Sequence, residues 1–238
     1  MSQVFKPSAN TFARVSLLVA GLLGAIALSA VFLWDRSPYL TRPIGTAVEQ
    51  PVRFSHNLHS GQLNISCRYC HEQAEYSAYG GIPDTHTCMS CHSQIATYSE
   101  LLEPVRTSYA TGQPVEWNKV HDLAEHVYFR HQAHVNNGVA CATCHGNVPE
   151  MQLVWQQEPM TMAWCLECHM NPEEYVRPAT EIYNFEYDVE TYLQETGNTY
   201  NIDLNQPVEA IQVDLGLQLI EEYQIHTEGM SDCRVCHH

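Results

Sequence analysis

The chain is 238 residues long, enough for one or two ordinary domains, with 45% hydrophobic and 16% charged residues. Its 27 Asp and Glu against 11 Lys and Arg give a formal net charge of −16. That balance excludes a nucleic-acid binder, which needs a basic surface to neutralise phosphates; it leaves a solvated acidic surface or one that guides basic partners.

Residues 15–34 (VSLLVAGLLGAIALSAVFLW) carry no charge. Such a run matches the roughly 20 residues a helix needs to cross the hydrocarbon core. It exceeds the roughly 7–15 residues of a signal-peptide apolar region, and Ala27-Leu28-Ser29 is a loose match to a cleavage site. The expectation is an uncleaved anchor over residues 1–36. Lys6 and Arg14 precede it and Arg42 and Arg53 follow, so charge alone does not orient it. Ala20 with Gly24, and Gly21 with Ala25, have the small-residue spacing that lets membrane helices approach closely.

All ten cysteines fall in Cys-x-x-Cys-His units: Cys67, Cys70 and His71; Cys88, Cys91 and His92; Cys141, Cys144 and His145; Cys165, Cys168 and His169; Cys233, Cys236 and His237. This unit is the attachment motif of c-type haem. Its two thiols add to the two vinyl groups of one porphyrin, which fixes their separation, and the adjoining histidine sits beneath the iron as proximal ligand. One copy could be a redox dithiol or half a zinc site. Five copies that consume every cysteine leave none for either alternative. The chain is therefore expected to carry five covalent c-type haems. Bacterial c-type maturation occurs outside the cytoplasmic membrane, so the bulk of the chain is expected on the periplasmic side of a single-pass anchor.

Residues 52–95 and 127–171 read as two copies of one unit. Phe54, His56 and His59 align with Phe129, His131 and His134, and each Phe-x-His-x-x-His element is followed by a haem motif, a loop and a second haem motif. Residues 37–178 thus form an expected four-haem domain. From 179 to 228 there is no Lys, Arg or Cys, and residues 179–238 read as an acidic extension that ends in the fifth motif. Apolar alternation at Ile182, Tyr183, Val189, Tyr192 and Leu193 hints at strands, and 208–223 has the pattern of an amphipathic helix. The fold class expected is mostly α and irregular, a multihaem cytochrome wrapped around its haems, with few strands and one N-terminal transmembrane helix.

The Phe-x-His-x-x-His element resembles that of class III multihaem cytochromes, the c3 and c7 group, whose two histidines supply sixth ligands to two different haems. Residues three apart on a helical turn lie on neighbouring faces, so two irons near one turn can be reached. Fourteen histidines less five proximal ones leave nine. His56, His59, His131 and His134 are the expected distal ligands, with His121 as the fifth and His86 behind it. Met160 and Met162, just before Cys165, are an alternative; a thioether ligand raises the haem potential, and the same side chains could instead pack on a porphyrin edge. His238 adjoins His237 and cannot reach the opposite face of the same iron.

Most of the chain resembles the pentahaem cytochrome c subunits of alternative complex III, bacterial quinol-oxidising membrane assemblies. The resemblance rests on 54-FSHNLH-59, 67-CRYCH-71, Ile82-Pro83, 88-CMSCH-92, Trp117, Val120-His121, the second Phe-x-His-x-x-His, Cys144-His145-Gly146, 160–165 and the C-terminal motif. It implies an electron carrier that transforms no substrate itself. Implied partners are an iron–sulfur subunit, quinol-oxidising integral membrane subunits, and a monohaem cytochrome c or terminal oxidase. The alternative is a quinol dehydrogenase cytochrome that donates to a periplasmic reductase. Those proteins start haem attachment soon after the anchor, whereas Trp34 and Cys67 here are far apart. A catalytic reductase needs an open axial position, and every motif here ends in histidine.

Overall fold

A computed structural model describes residues 6–36 and 44–237, in two compact units, Met1–Ile44 and Gly45–His238. Residues 1–5 and 37–43 of the expected anchor and four-haem regions, and His238, lie outside the described residues.

The first unit contains one helix, Pro7–Arg36. Its apolar stretch Ser8–Trp34 is 27 residues long, has mean hydropathy 2.4 and buries none of its side chains within the protein. At about 1.5 Å per residue it runs about 40 Å, more than the about 30 Å of a hydrocarbon core. An exposed apolar helix of this length is suited to a lipid environment or to neighbouring membrane helices.

The second unit is a succession of short helices and turns. Among the described residues there is no strand, only two isolated antiparallel bridges, Ala47 with Trp155 and Val139 with Val176. The strand hint at 182–193 fails for a local reason. Asp188 caps a helix, Val189–Glu195, by accepting from the Thr191 N–H (2.8 Å) and hydroxyl (2.7 Å). Val189 and Leu193 are both buried, so the apolar spacing is one helical face and not an alternation. The expected helix at 208–223 forms as Val208–Glu222.

The conventional apolar core lies in the most acidic part of the chain. Val176, Val189, Leu193, Ile202, Ile211, Leu215 and Leu219 cluster there, bordered by Tyr187, Tyr192, Tyr200 and Tyr223. Ile211, Leu215 and Leu219 recur every four residues and give Val208–Glu222 its buried stripe, while the carboxylates sit outside it. The helix lies so close to the Pro172–Glu174 turn that a Cβ on Gly216 would meet the Glu173 carbonyl. Gln212 Nε2 donates to the Val176 carbonyl at 2.9 Å. The same strip of chain then reaches the second repeat, where Arg177 N–H donates to the Gly138 carbonyl at 2.8 Å. Gly138 has φ 83°, and the Arg177 carbonyl occupies the space a Cβ would need. The acidic extension is thus a buttress for the second repeat.

Leu215→Ala should open a cavity in this core and cost about 2–5 kcal/mol, whereas Leu217→Ala, 53% exposed on the same helix, should cost under about 0.5 kcal/mol. Thermal unfolding of the two variants, followed by far-UV circular dichroism, checks the contrast; equal midpoints would show that this cluster contributes little to stability.

Candidate haem sites

Each Cys-x-x-Cys lies on a helical turn. Cys67–Cys70, Cys141–His145 and Cys233–Cys236 are short isolated turns, while the second and fourth motifs end longer helices, Thr85–His92 and Met162–Met170. Those two have side-chain caps: Asp84 accepts from Thr87 N–H at 3.1 Å and Thr161 from Trp164 N–H at 3.4 Å. Helical spacing brings the two thiols of a motif to one side. All ten cysteines are free of disulfides, and only Cys91 and Cys233 are exposed. Burial pushes the Cys144 thiol up to about 12 and those of Cys141 and Cys168 to about 11. A redox-active dithiol depends on the opposite shift. Among the described residues, no group of three or more His, Cys, Asp or Glu converges as a metal cage.

Ten of the fourteen histidines fall into five pairs, each joining one motif histidine to a histidine from elsewhere. Ring centroids are 6.4 Å apart for His56 and His71, 6.1 Å for His59 and His92, and 6.3 Å for His131 and His145. They are 6.1 Å apart for His134 and His169 and 5.5 Å for His126 and His237. Two metal–imidazole bonds of about 2 Å, plus the half-ring on each side, put centroids about 6 Å apart across one metal. Four pairs, at 6.1–6.4 Å, have the spacing that axial ligation needs, and His126 stands closer to His237, at 5.5 Å.

The ring nitrogens carry the same message. Nδ1 donates to a backbone carbonyl in seven of these histidines: His59 to Ser55, His71 to Gly81, His92 to Ile95, His131 to Ala78, His134 to Arg130, His169 to Met230 and His237 to His126, all at 2.7–3.0 Å. A carbonyl can only accept, so the proton is on Nδ1 and Nε2 keeps its lone pair for a metal. His56 leaves a buried Nδ1 with no partner. Burial, followed by neighbouring imidazoles, pulls His56 down to about 4 and His145 to about 3, so both rings are neutral. Gly80 faces the His131 ring, and a Cβ there would stand 3.3 Å from its Nε2. These residues fit the group that the motifs imply.

The two repeats match in detail. Phe54 stacks on His59 at 4.3 Å and 25°, and Phe129 on His134 at 4.5 Å and 27°. Each phenylalanine also meets the first histidine of its element edge-on at 4.8 Å. The aromatic ring therefore sets the direction of both imidazoles, which explains its place in the element.

The sites are linked in one row. His56 and His59 share the start of one turn and face the Cys67 and Cys88 motifs respectively. The loop after His71 accepts from His71 at Gly81 and from His131 at Ala78, which joins the Cys67 and Cys141 sites. His131 and His134, on His131–Val135, join the Cys141 and Cys165 sites. His169 donates to Met230, three residues before Cys233, which joins the last two. The order is Cys88, Cys67, Cys141, Cys165, Cys233.

Among the expected distal candidates, His56, His59, His131 and His134 each face a motif histidine. His121 does not stand opposite the fifth one; its ring meets His145 edge-on at 4.3 Å and 72°. His86 contacts Tyr109, at 4.8 Å. Met162 is 70% exposed, and Met160 lies half-buried at φ 48°. The ring beside His237 is His126, which no repeat or motif in the sequence singles out. The Tyr128 N–H bond to the Cys236 carbonyl (2.8 Å) and the His237 bond to the His126 carbonyl hold this site together across 111 residues.

Residues 127–191 match the family model described as "Cytochrome c7 and related cytochrome c". The chain is also similar to a protein of Nitratidesulfovibrio vulgaris, strain Hildenborough, named "Menaquinone reductase, multiheme cytochrome c subunit". The two are 26% identical over 167 residues, which cover 61% of this chain and 78% of the relative. The matched segment contains the second histidine repeat and the Cys141 and Cys165 motifs, so the chain carries a cytochrome c7-like multihaem domain.

Proposed function

We propose that the chain binds five c-type haems, each between two histidines, and serves as the electron-carrier subunit of a membrane quinone–quinol oxidoreductase. The observation that carries this reading is the set of five imidazole pairs, each built on one Cys-x-x-Cys-His motif. Haem supplies a one-electron iron couple when bound. The protein's part is to hold each axial nitrogen neutral, aimed and immobile: carbonyls fix seven rings, and Phe54 and Phe129 fix four between them. With an imidazole on each side, a bound haem would offer no open position to a substrate, which suits a carrier and not a reductase. The row of sites, with exposed thiols Cys91 and Cys233 at its two ends, provides one path with two outlets.

The helix Pro7–Arg36 supports attachment to the bacterial cytoplasmic membrane, with the haem-binding unit on the periplasmic side, where c-type haem is attached. The resemblance to alternative complex III subunits supports quinol as the electron source, an iron–sulfur subunit and quinol-binding membrane subunits as neighbours, and a monohaem cytochrome or terminal oxidase downstream. The relative's name supports a second direction, electron delivery to menaquinone. Midpoint potentials of the end haems against that of the quinone pool decide between the two.

A pyridine haemochrome assay on mature protein should give five haems per chain; four or fewer would sink the reading. His126→Ala should convert one haem to a high-spin ferric form, visible by low-temperature electron paramagnetic resonance, while His86→Ala should leave all five low-spin. A high-spin signal in the second variant and none in the first would reverse the assignment of the fifth site.

Replacing residues 1–36 with a cleavable export signal should yield a soluble five-haem protein in the periplasmic fraction. Retention in salt-washed membranes would show that the helix is not the principal anchor.

A further inference from the structure

Four of the five motif histidines pass the Nδ1 hydrogen to a backbone carbonyl: His71, His92, His169 and His237. His145 makes no such bond. Against it lies His121, edge-on at 4.3 Å, with a buried Nε2 that has no partner. A buried polar nitrogen without a partner needs an explanation, and here two histidines each lack what the other can supply. The His121 segment is held in place by its neighbour Asn118. Asn118 N–H donates to the Gln50 side chain (2.9 Å), Gln50 Nε2 donates to the Asn118 carbonyl (2.8 Å), and Asn118 Nδ2 donates to the Glu49 carbonyl (2.7 Å). The ring itself has a broad χ2 torsion, so its nitrogen can turn to the adjoining ring.

We infer that His121 is a positioning residue for the Cys141 site, its Nε2 accepting the Nδ1 hydrogen of His145 in place of a backbone carbonyl. This rests on the reading of His145 as an axial ligand. An imidazole nitrogen is a better base than an amide oxygen, so the bond makes His145 the more strongly donating ligand. A more electron-rich ligand favours the ferric state and lowers the potential of that one haem, the middle member of the row.

The test uses full-length protein, with haem content measured first, so that a shortfall in the wild type counts against the five-haem reading and not against His121. His131→Ala identifies the low-spin resonance of the Cys141 site as the one it removes. In His121→Ala, and in His121→Phe, which keeps the ring volume without an acceptor, all haems should stay low-spin. That single resonance should shift in g value, and the same haem should titrate at a higher midpoint potential. His121→Gln, which keeps an acceptor oxygen, should restore most of both shifts. Unchanged g values and potentials in His121→Ala and His121→Phe would overturn the inference. So would a new high-spin signal in those variants, which would make His121 an axial ligand.

Discussion

The second unit is organised around five imidazole pairs with ring centroids 5.5–6.4 Å apart, close to the separation that two metal–nitrogen bonds would span. Every pair joins residues that are distant along the chain, from His56 with His71 to His126 with His237. A hydrogen bond at Nδ1 helps aim a ring, since a ring free to rotate would present either nitrogen, and seven of the ten paired rings have one. Backbone carbonyls meet that need, and much of the loop structure is arranged to bring them there. The 72–81 loop is the clearest case: it accepts from a motif histidine at one end and from a distal histidine near its middle.

This constraint also explains where the apolar core is and is not. The segments around the first two motifs bury few side chains; Val52 and Val105 are among the exceptions. Six of the seven cluster residues, all but Val176, instead lie in the acidic extension, where Leu193, Ile211, Leu215 and Leu219 are wholly buried. Between residues 179 and 228 the chain has no cysteines to organise it and folds by hydrophobic burial. It then transmits that rigidity to the second repeat through Val176 and Arg177. High charge and a good core coexist because the carboxylates occupy the outer face of the same helices.

Duplication accounts for four sites and not for the fifth. The two Phe-x-His-x-x-His elements match in ring distances and angles, so each sets its two imidazoles beside the histidines of two motifs. The fifth site borrows a histidine from just ahead of the second copy and a motif from the far end of the chain. Its pair is the closest-spaced of the five and includes an exposed histidine, His126.

The sequence by itself determined whatever is local. The Cys-x-x-Cys-His spacing is a covalent requirement confined to five residues, the apolar run at 15–34 is a matter of composition, and the mostly helical class follows from haem motifs that sit on helical turns. The histidines of the repeats were legible because a duplicated pattern three residues apart fits one turn. The strand hint at 182–193 misread a helical face, because i, i+3 and i+4 spacing over few residues resembles alternation until the Asp188 cap is seen. Only the tertiary structure decided which imidazole stands opposite which. His121 and His126 are five residues apart and indistinguishable by composition, yet one faces His237 and the other lies on the edge of His145. That choice depends on where the C-terminal segment returns to the second repeat, through the Tyr128 bond to Cys236 and the His237 bond to His126, and long-range pairing of this kind leaves no periodic trace in the sequence.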